Sequence, residues 1–153
     1  SCVAACLYDE GPRRGEGIGG MNHFLLPAGG EGESARYGVH AMELLINAML
    51  GLGAQRSRLR AKIFGGGAVL AAVTSIDVGR QNASFVKQFL LTEGIPVLAE
   101  DLLGPHPRKL LFFPASGEAR VKRLPLQSGL DLAERERRYR MAAQAPQPDV
   151  ELF

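Results

Sequence analysis

The chain has 153 residues, nearly half of them hydrophobic and about a fifth charged, which suits one globular domain with a sizeable core. Its formal charge of +2 gives no electrostatic case for nucleic acid, which calls for a strongly basic face. No apolar run approaches the ~20 residues needed to span a bilayer, so no membrane insertion is expected. The apolar start runs directly into Asp9, Glu10, Arg13 and Arg14, unlike a signal peptide. The sequence opens at Ser1 without an initiator Met, so either residues have been removed or it is an excerpt of a longer chain.

Residues 1–8 are short, apolar and uncharged and read as a strand, followed by a polar turn at DEGPRRGEG. A second apolar run, 18–27, closes at Pro27, and AGGEGES reads as a flexible loop. Met42, Leu45, Ile46, Met49 and Leu52 then recur at helical spacing, with Ser34 as the expected N-cap and Gly53 as the stop. AKIF at 61–64 reads as a strand ending in three glycines. A second helix carries Ala83, Val86, Phe89 and Leu90 and ends at Gly94. IPVLAEDL, RKLLFFP and EARVKRL read as three strands, with turns at GPHP and ASGE, the latter a hairpin. The order β-β-α-β-α-β-β-β predicts an α/β protein of the α+β type: mixed, mainly antiparallel β-sheet layers with two main helices packed on the sheet. Residues 1–128 form the expected domain. Residues 129–153 read as a charged helix, DLAERERRYRM at 131–141, and a flexible C-terminal tail ending in DVELF, a candidate docking peptide.

Neither GIGG at 17–20 nor GGG at 65–67 has the phosphate-binding pattern of a P-loop or a dinucleotide fold, so both read as turns and close backbone approach. His23, His40 and His106 lack the spacing of a zinc site, and no metal or other cofactor is expected. Cys2 and Cys6, four residues apart in a strand, lie about 13 Å from one another at ~3.3 Å per residue. A disulfide needs Cα atoms within ~7 Å, so the thiols are expected free, as in the reducing cytoplasm. A nucleophilic cysteine needs a lowered pKa and donors for the oxyanion formed on attack. His23 lies in the second strand, where a hairpin-like return could place it on the face that carries Cys2; on the residues alone, a lone cysteine near a chain start is more often a small buried hydrophobe. Cys6 is expected to be a core thiol, and Asn22 to point to the opposite face from His23.

The blocks SCVAACLYD, GGMNHFLLP, ARYGVHAMELLINAML, AKIFGGGA, GRQNASFVKQFLLTEGIPVLAED and PRKLLFFPASGEARVKRL, collinear from residue 1 to about 124, closely resemble the CheD family, the chemoreceptor glutamine deamidases of bacterial chemotaxis. That family is itself similar in fold and active-site layout to deamidase toxins of the cytotoxic necrotizing factor type. The resemblance implies a cytoplasmic protein-glutamine glutaminase that converts receptor glutamines to glutamate through a cysteine thioester. It implies Cys2 as nucleophile and His23 as its partner, with a third family residue, a Thr, upstream of Ser1. The implied partners are the cytoplasmic domains of methyl-accepting receptors and a CheC-type phosphatase. Two other readings predict different behaviour: a receptor- or phosphatase-binding adaptor with little turnover, and a generic thiol amidase that would release ammonia from free glutamine.

Overall fold

A computed structural model describes residues 1–13, 15–26, 31–68, 78–125, 134 and 138. Strands β1 (Val3–Asp9) and β2 (Ile18–Phe24) are followed by helix α1 (Glu31–Gly51), a single 3₁₀ turn (Arg56–Arg58) and β3 (Arg60–Gly65). Helix α2 (Val78–Thr92) and strands β4 (Val97–Leu102), β5 (Arg108–Phe113) and β6 (Glu118–Arg123) complete the order.

Four strands make one sheet in the order β2-β1-β3-β4. β1 runs antiparallel to both neighbours, whereas β3 and β4 are parallel and are joined through α2, the kind of crossover a parallel pair requires. β1 is therefore central and covered on both faces, which is why it reads as an apolar run rather than an alternation. Val3, Ala5 and Leu7 point to the helix side, where they join Phe24, Ala61 and Ile63 of the sheet. Met42, Ile46 and Met49 of α1 and Val86, Phe89 and Leu90 of α2 complete that core. Fully burying side chains of this size contributes roughly 1.5–3 kcal/mol each.

On the other face of the sheet lies the antiparallel hairpin β5–β6. It is fastened at three places. Lys62 Nζ donates to the Gly117 carbonyl at 2.7 Å. Gly117, at φ +68°, lies flat against the Tyr8 ring, which a Cβ would strike. Arg108 Nη2 donates to Asp101 Oδ1 at 2.8 Å, and Arg123 Nη2 reaches the same oxygen at 3.2 Å. The layers are thus helices, mixed sheet and hairpin, and the expected mixed, mainly antiparallel architecture with two helices on the sheet is present.

Two details differ from the sequence reading. α1 begins at Glu31, so Ser34 lies inside the helix and residues 31–34 are not loop. Glycine's penalty of about 1 kcal/mol in a helix is a weak preference that context overrides. Leu52 is 73% exposed, because the helix ends at Gly51 and the turn that follows swings it off the apolar stripe. The hairpin expected at ASGE is the β5–β6 pair, and β4 joins the main sheet. Of the expected helix at 131–141, Glu134 and Arg138 are helical and form an i,i+4 ion pair at 2.9 Å. Its remaining residues and the DVELF tail lie outside the described residues, as does Pro27.

Candidate active site

One end of the main sheet collects the start of β1 and the ends of β2, β3 and β4, because β1 is antiparallel to its neighbours and β3 is parallel to β4. Cys2 lies at this end, one residue before β1, and is half-buried. In the β1–β2 ladder Ala4 faces His23. Directly opposed residues in an antiparallel pair share a face, and residues two apart on one strand share it too. The same alternation, continued one residue past the last rung Val3–Phe24, would bring Cys2 to the face of His23 as a diagonal cross-strand neighbour. His23 is exposed. Phe64 of β3 faces Ala4 from the opposite side and is buried. This is the face that the hairpin covers farther along, where Tyr8 and Lys62 lie.

The backbone around Cys2 is held by loops at the same end. Gly66 N–H donates to the Cys2 carbonyl at 2.8 Å. Gly65, at φ +116°, passes so close that a Cβ would overlap the Cys2 carbonyl oxygen. Gly66 and Gly79 approach backbone to backbone: a Cβ on Gly66 would stand 2.7 Å from the Gly79 oxygen. The GGG run is thus close backbone approach, and GIGG is too, with Gly17 and Gly19 against the backbone of Ala115 and Pro114. Leu103 N–H donates to the Gly65 carbonyl at 2.8 Å, and Leu103 takes φ +63° to do so, a conformation that costs a bulky residue of order 1 kcal/mol.

Both cysteines are free, but they differ chemically. Cys6 is fully buried, and burial pushes its thiol up to about 12, a rise that nearby Lys62 only partly offsets. The thiolate is the reactive form, so Cys6 is inert and Cys2 is the accessible thiol. Asn22 points to the helix side, where its Nδ2 donates to the Ala41 carbonyl at 3.1 Å, opposite to His23 as expected. His40 is exposed on α1 and His106 is exposed in the loop after β4. Neither lies on the strands that carry Cys2 and His23. Among the described residues no group of His, Cys, Asp and Glu could hold a metal ion.

Two residues escaped the sequence reading. Asn82 of α2 is fully buried; its Nδ2 donates to the Ser1 carbonyl at 3.0 Å and its Oδ1 accepts the Leu26 N–H at 2.9 Å. The signal was present: Asn82 stands one turn before Val86 on the apolar stripe, where a polar residue calls for a reason. Asp9, at the other end of β1, is the second.

A half-buried free cysteine one residue before β1 and an exposed histidine near the end of the neighbouring strand, beside a glycine loop whose Gly66 N–H holds the Cys2 carbonyl, define a candidate cysteine–histidine site. The family described as CheD chemotactic sensory transduction matches residues 25–123. A protein of Dechloromonas aromatica named "Probable chemoreceptor glutamine deamidase CheD 1" is 52% identical, over 100% of this chain and 77% of its own length. A protein of Xanthomonas campestris pv. campestris named "Probable chemoreceptor glutamine deamidase CheD" is 53% identical with the same coverage, and one of that name from Stenotrophomonas maltophilia is 52% identical. The chain belongs to the CheD family. The family match opens at residue 25, just past His23, while the matches to these relatives take in the whole chain.

Proposed function

We propose that this protein is a chemoreceptor glutamine deamidase, a hydrolase of the side-chain amide of protein-bound glutamine, with Cys2 as nucleophile and His23 as proton carrier. The observation that carries the reading is a free, half-buried Cys2 one residue before β1, at the sheet end where His23 lies on β2 opposite Ala4, in a chain whose relatives bear that name.

The Cys2 thiolate attacks the carboxamide carbon of a receptor glutamine, and backbone amides near Cys2 hold the oxyanion. Protonated His23 gives its proton to the departing nitrogen, so ammonia leaves and a γ-glutamyl thioester remains on Cys2. Neutral His23 then takes a proton from water as it attacks the thioester, and glutamate is released with the thiol regenerated. A carboxamide is a poor electrophile. Proton transfer and oxyanion stabilisation, each worth on the order of 10²-fold or more, are what such a site must supply. The substrates are cytoplasmic receptor domains, which sets the enzyme in the cytoplasm. The family's likeness to toxin-type deamidases is part of the same reading, supported by a cysteine at a strand start with a histidine on the neighbouring strand.

Incubated with a receptor cytoplasmic domain, the protein is expected to release ammonia and to convert specific glutamines to glutamate by mass spectrometry. Cys2→Ala and His23→Ala each abolish this. Undiminished activity in Cys2→Ala overturns the assignment. Receptor retained in a pull-down with no ammonia released is the outcome an adaptor, or a partner of a CheC-type phosphatase, would give.

A further inference from the structure

The β1–β2 ladder ends at the rung Val3–Phe24. Cys2 lies beyond that rung, so cross-strand hydrogen bonds of the ladder do not by themselves fix where its side chain points relative to His23. Asn82 reaches this gap. It is fully buried on the sheet-facing side of α2, among Ala83, Val86 and Leu90, where a leucine would fill the space without needing hydrogen bonds. Instead its amide ties together two segments remote in sequence. Nδ2 holds the carbonyl of Ser1, the group on the peptide bond that enters Cys2, and Oδ1 holds the N–H of Leu26, three residues past His23.

We infer that Asn82 is a positioning residue that sets the Cys2 thiol against His23. The peptide unit on either side of Cys2 is planar, and each is tied to a neighbouring element: Ser1 C=O accepts from Asn82 Nδ2 and Cys2 C=O from Gly66 N–H. Tying both planes restrains φ and ψ of Cys2 and with them its Cα–Cβ direction. The bond to Leu26 references that direction to the strand that carries His23. Removing the amide takes away the tie between the Ser1 carbonyl and α2, and the alignment of the thiol to the imidazole loosens. The inference rests on the deamidase reading for its turnover consequence, but not for its geometry.

The test uses the full-length protein with Asn82→Leu and Asn82→Ala, and with Val86→Ala as a matched control one turn along the same buried stripe. Two readouts are taken under conditions where thermal melts show each variant folded. The first is the pH profile of iodoacetamide alkylation at Cys2, located by peptide mass spectrometry; the second is kcat and KM for receptor deamidation. The Asn82 variants are expected to shift the alkylation midpoint to higher pH and to lose about tenfold or more in kcat, with KM little changed, since misplacing a reacting group by about 1 Å can cost as much as 10²-fold. Val86→Ala is expected to melt lower yet keep the parental alkylation profile. Should Asn82→Leu and Asn82→Ala fail to fold, Asn82→Asp, which keeps the acceptor for Leu26 and removes the donor to Ser1, is read in the same way. A parental alkylation profile in a folded Asn82 variant, or an equal shift in Val86→Ala, overturns the inference. Alkylation needs no substrate, so a protein that alkylates normally but releases no ammonia refutes the deamidase reading alone.

Discussion

Asp9 closes the end of β1 opposite to Cys2, and its carboxylate is almost completely buried. Oδ1 accepts from Gly11 N–H at 2.8 Å and Arg58 Nε at 2.7 Å, and Oδ2 accepts from Gln55 N–H at 2.7 Å and Arg58 Nη2 at 2.9 Å. The hydrogen bonds from Arg58, helped by the two backbone amides and opposed by burial, hold the carboxyl down to about 2, below its ordinary 3.8. Because the folded value is the lower one, the stabilisation is fully present above about pH 4 and is lost as pH falls through about 2. A depression of this size corresponds to about 2 kcal/mol. Asp9→Asn is expected to lower stability at pH 7 by about 1–3 kcal/mol, since one oxygen and its negative charge are gone while the donors remain. Between pH 4 and 2 the variant should lose less further stability than the parent. Urea midpoints across that range check this; parallel pH profiles of parent and variant contradict it. The role of Asp9 was not legible in the sequence, because its partners lie 46 and 49 residues away. Cys2 and His23 as a candidate pair came from the block pattern, because residue chemistry alone left Cys2 readable as a small buried hydrophobe.

At the level of elements, the order of strands and helices followed from the change of hydrophobic period along the chain, and it is the order found. Pairing was harder to read. β4 is exposed over its first four residues, and nothing in VLAEDL distinguishes a strand parallel to β3 from a third member of the hairpin group. The hairpin itself is a two-stranded unit, and such units are marginal in water on their own. Its attachment to the sheet therefore rests heavily on Asp101, whose carboxyl is held down to about 2 chiefly by the Arg108 hydrogen bond and secondarily by Arg123. Arg108 is 8% exposed, so it depends on this partner more than a surface arginine would. Asp101→Asn is expected to speed amide hydrogen exchange within β5 and β6 by about tenfold, the equivalent of one charge-assisted hydrogen bond at about 1.5 kcal/mol. Exchange in the β1–β3 ladder should be unchanged. Uniform acceleration across both sheets would mean that the hairpin is not a separable unit.

For the molecule as a whole, the helix layer and the candidate site are joined by glycine contacts that the sequence showed only as runs of small residues. Gly79 opens α2 against the loop after β3, and a Cβ there would run into the Gly66 carbonyl oxygen, with the Gly67 oxygen at 3.1 Å. Gly66 in turn donates to the Cys2 carbonyl. The obstruction is backbone and cannot be relieved by turning a side chain aside. Gly79→Ala must therefore displace either the first turn of α2 or the loop that carries Gly66. Overpacking of this kind costs about 1–3 kcal/mol, so the melting temperature should fall. If the loop is what moves, reactivity of the Cys2 thiol falls with it, although residue 79 lies on α2 and not on the strands beside Cys2. Comparing thermal melts with iodoacetamide alkylation of Cys2 separates the two cases: a lower melting temperature with slowed alkylation is expected. Parental alkylation in a destabilised Gly79→Ala would show that α2 gives way instead, and that the site end of the sheet is stiffer than the helix laid against it.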